Sequence, residues 1–140
     1  MLAKAGFRRR LIASALFILL VGAVGYYGYQ EKAIHNKVAD ATNLGRAASG
    51  AVASYYADKG KFPATLIETG KQIIMAGAAT ATINPESGEV IVTFKKTKFA
   101  ELSGKHLYYK PSIAADKSIK WKCSTDDAEL KRILKTQCQD

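Results

Sequence analysis

Residues 11–29 carry no charged side chain, and charges then return around an apolar seam. As a helix rising about 1.5 Å per residue, the uncharged stretch spans roughly 28 Å, close to the ~30 Å hydrocarbon core of a bilayer. From Gln30 onward Ile34, Val38, Ala41, Gly45, Ala48, Val52 and Tyr55 recur at alternating spacings of four and three, which places them on one helical face. Lys32, Lys37, Asp40, Arg46 and Asp58 lie off that face. The pattern predicts one long helix with a membrane-spanning part, 7–29, and an amphipathic part, 30–58. Most seam residues are small, so their partner can approach closely, and a β-sheet laid across the helix is the expected partner. Gly60 suits the left-handed position that ends a helix and Pro63 blocks continuation, so the stop is expected near Asp58-Lys59-Gly60.

Past Gly60 the helical period disappears. Residues 60–77 hold Gly60, Pro63, Gly70 and Gly77 and read as a connection, with Ile73-Ile74-Met75 expected as a buried anchor point. A weak strand is expected at 79–83, followed by the turn cluster Asn84-Pro85-Glu86-Ser87-Gly88. Residues 89–95 alternate, with Val90, Val92 and Phe94 on one face and Ile91 and Thr93 on the other. Two further strands are expected at 107–110 and 119–123, Pro111 marking the end of its strand or a sheet edge. The fold class is therefore α+β, a long N-terminal helix packed on a four-stranded antiparallel sheet. Residues 126–134 place acids before bases, as a short helix with a favourable macrodipole would.

Charge orients this plan. The net charge is +9, of which Lys4, Arg8, Arg9 and Arg10 supply four units ahead of the apolar run. Basic residues on that side keep an N-terminus cytoplasmic, so the head, 59–140, is expected across the membrane. Cys123 and Cys138 fit an oxidising compartment and can close a loop of about 15 residues, which contributes roughly 3 kcal/mol in the chain-entropy picture; two free thiols are the alternative. Gly22, Gly25 and Gly28 recur at intervals of three, either as a close-packing face for another helix or as local weakness near the outer interface. Tyr26, Tyr27 and Tyr29 read as an aromatic belt. A secretory signal cleaved near Ala23-Val24-Gly25 is a rival, releasing a soluble domain that starts at Tyr26.

Catalytic chemistry finds no footing. His35 and His106 lack carboxylate or cysteine neighbours at ligand spacing, and Asp126-Asp127 with Glu129 reads as a capped helix start rather than a cation site. No glycine-rich phosphate loop occurs, and neither an enzyme nor a cofactor or metal is expected. Lys95, Lys96, Lys98, Lys105, Lys110, Lys117, Lys120 and Lys122 crowd the sheet, Lys131, Arg132 and Lys135 follow, and Tyr108, Tyr109 and Trp121 lie among them. Basic groups beside aromatics can bind DNA, with Lys95, Lys96, Lys98, Lys120 and Lys122 as the candidate contacts. The competing reading is a solvated sheet face with Trp121 in the core.

Several pieces in order resemble the type IV pilins of bacteria over nearly the whole chain. They are a short basic leader ending in Gly6 with Phe7 opening the apolar helix, Tyr29-Gln30, Tyr55-Tyr56-Ala57-Asp58-Lys59-Gly60-Lys61-Phe62-Pro63, residues 88–94, Ser118-Ile119-Lys120-Trp121-Lys122-Cys123 and Cys138. The resemblance implies a leader, 1–6, cut between Gly6 and Phe7, and a disulfide-bounded C-terminal loop. It also implies a single-pass inner-membrane location with a periplasmic head, and pilins, the pilus assembly machinery and lipid as partners. Three departures qualify it. Leu11 stands where pilins carry the glutamate that meets a neighbour's amino terminus, Arg8, Arg9 and Arg10 replace small residues, and the proline near the membrane exit is missing with Gly28 close to its place. An unpaired guanidinium inside a bundle of apolar helices costs several kcal/mol. The expectation is an accessory or minor pilin-like protein of pilus biogenesis. A DNA-uptake minor pilin, a filament-forming major pilin and a secreted domain are the alternatives.

Overall fold

The computed structural model describes residues 2–72, 74–134 and 138, the side chains of residues 2–11 excepted. Helix α1 (Leu2–Lys59) is followed by a 3₁₀ turn (Leu66–Thr69), five strands and a second helix. The chain divides into two units, Met1–Ile34 and His35–Asp140. The first is helix alone. Leu16, Phe17, Ile18, Leu19, Leu20, Val21 and Val24 are each 56–73% exposed, so nothing among the described residues covers them.

In the second unit, α1 ends where the sequence places its stop. Gly60 sits at φ 69° and its N–H donates to the Tyr56 carbonyl at 2.8 Å, closing the last turn. The strands are β1 (Met75–Ala76), β2 (Ala79–Ile83), β3 (Val90–Phe94), β4 (His106–Ile113) and β5 (Ile119–Ser124), each antiparallel to the next in that order. Among the described residues the sheet has five strands where four were expected. Gly77, at φ 54°, lets the chain turn back after only two residues, so Met75 pairs with Thr80 and Ala76 with Ala79. The expected buried anchor at Ile73-Ile74-Met75 is corrected with it. Ile74 is 37% and Met75 59% exposed because they lie on the sheet's outer edge, and Ile73 lies outside the described residues. Leu66 from the 3₁₀ turn takes the buried place instead.

The β2–β3 turn follows its residues. Asn84 Oδ1 accepts the N–H groups of Glu86 and Ser87, and Gly88, at φ 73°, donates to the Asn84 carbonyl. A Cβ on Gly88 would strike the Phe62 ring, which packs on Tyr56 with ring centroids 4.8 Å apart. Strand β4 runs past the expected 107–110 and includes Pro111 opposite Trp121. Its pairing with β3 ends at Tyr109, so the N–H that proline lacks is not missed on that side.

One face of the sheet carries Ala79, Ala81, Val90, Val92, Phe94, Leu107 and Tyr109, all buried. It meets the seam of α1, where Val38, Ala41, Gly45, Ala48 and Val52 are buried as expected. The buried stripe is broader than the seam and adds Thr42, Leu44, Ser49 and Ala51. Phe99 and Leu102, from the loop between β3 and β4, and Leu130 and Leu134, from α2 (Ala128–Leu134), complete the core. Cys123 on β5 and Cys138 form a disulfide with Cα atoms 5.4 Å apart, enclosing α2 in its loop. Asp127 caps α2 through a 2.8 Å bond from the Leu130 N–H, the helix start expected at the acidic cluster.

Candidate assembly surface

The membrane-length segment is the most exposed apolar part of the molecule. Among the described residues one helix is long and apolar enough to cross a bilayer. Gly22, Gly25 and Gly28 lie open on it, since a Cβ built on any of the three would meet nothing within 4 Å. The Gln30 amide donates to the Tyr26 hydroxyl at 2.6 Å, and the Tyr26 and Tyr27 rings stand edge to face at 6.4 Å. Side chains of the candidate leader junction, Gly6 and Phe7, of the topology residues Arg8, Arg9 and Arg10, and of Leu11 lie outside the described residues.

The head is fastened to its own part of α1 by Tyr109. Its ring lies against Gly45 so closely that a Cβ there would overlap it, and its hydroxyl donates to the Thr42 carbonyl at 3.1 Å. Burial pushes the Tyr109 phenol up to about 12, against smaller opposing effects of Arg46 and the Thr42 bond. The sequence marks this contact only by the small residues of the seam; which strand residue fills the gap is not written in it. Beside Tyr109, a cavity of about 300 Å³ is lined by Arg46, Ser49, Gly50, Trp121 and the two cysteines. Trp121, expected in the core, is instead half-buried at this cavity, because β5 is the last strand of the sheet and only one of its flanks is covered.

The candidate lysines fall into two groups. Lys95, Lys96 and Lys98 follow β3, with Lys95 Nζ 2.8 Å from Met75 Sδ and Lys98 over the Phe99 ring at 5.2 Å. Lys120 and Lys122 sit on β5 opposite Ser112 and Lys110. His106 is the β4 residue paired with Thr93 near the first group, so Lys122, four steps on at Lys110, and Lys120, six steps on at Ser112, lie about 14 and 20 Å away along the strand. Lys105 is tied to Asp127 at 2.7 Å and Lys110 to Glu89 at 3.8 Å. Tyr108 shares a sheet face with Lys110 and Lys122, whereas Tyr109 and Trp121 belong to the other. Lys135 lies outside the described residues.

The remaining candidates are locally engaged. His106 Nδ1 lies 2.9 Å from Thr93 Oγ1, and Thr125 donates to the His106 carbonyl. The Lys105 ammonium, followed by the Leu130 N–H, holds the Asp127 carboxyl below the usual range. Among the described residues no group of three or more His, Cys, Asp or Glu is gathered as a metal site.

Comparison with known proteins adds two findings. The family model described as Pilin (bacterial filament) matches residues 36–139. A fimbrial protein, EcpC of Eikenella corrodens, is 30% identical over 138 residues, which cover 93% of this chain and 88% of that protein.

Proposed function

We propose that this chain, which belongs to the pilin family, is an accessory or minor pilin-like protein of type IV pilus biogenesis, held in the inner membrane by its N-terminal helix. It works through helix–helix contact with pilins or the assembly machinery, on a non-enzymatic role, with the exposed apolar segment and its open glycines as the contact face. The observation that carries this reading is the run Arg8-Arg9-Arg10-Leu11 at the start of that segment. A packed bundle of helices would have to desolvate three guanidinium groups per copy with no carboxylate at Leu11 to meet them, whereas the cytoplasmic face of a membrane leaves them hydrated.

The experiment replaces Arg8–Arg10 by apolar residues together with Leu11→Glu and measures the protein in filaments sheared from cells. Recovery is expected to rise well above that of the unaltered chain; no increase would refute the account of its exclusion. Mass spectrometry of the protein from membranes identifies the N-terminus in the same preparation. Phe7 fits a processed minor subunit, Met1 a membrane-retained accessory, and Tyr26 would remove the anchor on which the reading rests.

A further inference from the structure

The contacts of the sheet tell the two ends of the head apart. The β2–β3 turn meets Phe62 and Tyr56, where α1 finishes, because a Cβ on Gly88 would strike the Phe62 ring. The β1–β2 turn lies at the opposite end, where a Cβ on Gly77 would come within 3.3 Å of the Asp40 carboxylate and 3.9 Å of the Lys37 ammonium. Strand β3 runs from the first end to the second, so Lys95, Lys96 and Lys98, all exposed, follow it there. The Lys95 N–H donates to the Ala78 carbonyl at 2.7 Å, which fixes these lysines beside the turn. The turn itself is apolar. Residues 72–85 carry no charge, Gly77 at φ 54° makes it tight, and Ile74 and Met75 are 37% and 59% exposed beside it. Two acids, Asp40 and Glu101, lie at this end against the four lysines, while Asp126 and Asp127 lie against Tyr108 and Lys105 on the β4–β5 side.

We propose that this end of the head rests on an anionic lipid surface, the lysines meeting headgroup phosphates while Met75 and Ile74 enter the headgroup layer. Lysines near a negative leaflet are attracted to it over about a Debye length, roughly 8 Å at physiological salt. The Lys95 ammonium, 2.8 Å from the Met75 sulfur, has only a weak acceptor there, whereas a phosphate oxygen is a strong one. An acidic protein offers similar charge, but the bilayer is tethered to the site. Lys37 comes eight residues after Tyr29, the end of the uncharged run, which is about 12 Å of helix. A tether that short holds the lipid at high effective concentration. The inference rests on the membrane anchor proposed above and adds a second, electrostatic foothold to it.

The full-length chain is placed in nanodiscs of phosphatidylcholine or of an equal mixture of phosphatidylcholine and phosphatidylglycerol. Its lysines are methylated with formaldehyde, a neutral reagent, and read by mass spectrometry. Lys95, Lys96 and Lys98 are expected to react about threefold or more slowly in the mixed discs, and high salt should restore their rates. Lys120, about 20 Å along the sheet from this group, should react alike in both. Met75→Gln, at an exposed position, should reduce the lipid effect about twofold, and an unchanged effect would overturn the entry of Met75 into the headgroups. Equal rates in both discs, or equal slowing at Lys120, overturn the inference while leaving the anchor intact. The same slowing produced in phosphatidylcholine discs by inorganic phosphate overturns it in favour of a small-anion site. A chain that stays in neither disc refutes the anchor and this inference together.

Discussion

Replacing Gly45 by alanine sets two effects of opposite sign against each other at the helix–sheet seam. Alanine in a helix interior is favoured over glycine by roughly 0.5–1 kcal/mol. The added Cβ, however, would lie within 2.8 Å of the Tyr109 hydroxyl oxygen and closer still to two ring carbons. The ring cannot swing aside: Tyr109 is 4% exposed, its hydroxyl is bonded to Thr42, and β4 is paired there with both β3 and β5. Helix and strand must therefore separate locally, and overpacking of this kind costs about 1–3 kcal/mol. Taking the middle of each range, the clash wins by about 1 kcal/mol, a fall of roughly 4–8 °C in the Tm of a head of this size. The assay is urea unfolding of the full-length protein in detergent, followed by far-UV circular dichroism and by the fluorescence of Trp121, the single tryptophan. Gly50→Ala is the control, since a Cβ at Gly50 meets nothing within 4 Å, and it should raise stability by about 0.5–1 kcal/mol. In a Tyr109→Leu background the Gly45→Ala penalty should shrink by about 1 kcal/mol or more, as coupling between touching residues requires. The reasoning fails if Gly45→Ala stabilises like Gly50→Ala, or costs the same with and without the ring.

The Tyr109 phenol, raised to about 12 by burial, should stay neutral in an ultraviolet titration until near that pH, and its ionisation near the ordinary phenol value of about 10 would contradict the burial of its ring. Reduction of the Cys123–Cys138 bond should lower the unfolding free energy by about 3 kcal/mol in the chain-entropy picture, read as a shift in the urea midpoint with and without reductant. The Asp127 carboxyl is depressed in the folded state, so its contribution is present above the ordinary carboxylate value of about 4 and is lost as pH falls through the depressed folded value. Asp127→Asn should flatten the acid limb of stability against pH while leaving the helix cap partly satisfied; an unchanged acid limb would show that the Lys105 pair contributes nothing.

What the sequence discloses and what it hides divide along physical lines. The extent of α1 is legible because it depends on local signals, an uncharged run, a seam at helical spacing and a Gly60 stop, each read without knowledge of the fold. β3 is legible for the same reason, its alternation of Val90, Val92 and Phe94 against Ile91 and Thr93 being the whole of its sidedness. β1 is hidden because two residues have no period, and Ile74 and Met75 look like core on hydropathy alone. Phe99 and Leu102 are hidden because they enter the core from a loop whose path depends on side-chain bonds, such as those between Thr97 and Ser103. The separation of the lysines is invisible for a related reason: proximity in sequence says nothing about distance along β4, and only the register places Lys95 and Lys120 at opposite ends.

The same division bears on the proposed role, because the two ends of α1 ask for different surroundings. In the distal half, the small residues at Ala41, Gly45 and Ala48 already have their partner, the sheet of the same chain, so that face is not available to a neighbour. In the proximal half the open glycines and more than half-exposed leucines have none among the described residues, which leaves lipid or other helices to supply it. Lipid accepts any apolar side chain, and it tolerates arginines at its edge because their long stems reach the interface. A helix bundle is less forgiving. Unpaired and cut off from water inside such a bundle, each arginine costs several kcal/mol, so three amount to on the order of 10 kcal/mol. A single glutamate at position 11 would neutralise one charge of the three, which is why the proposed test changes Arg8–Arg10 and Leu11 together. On this reading the head keeps the fold of a filament subunit while the charged inner end of the rod sets where the chain resides.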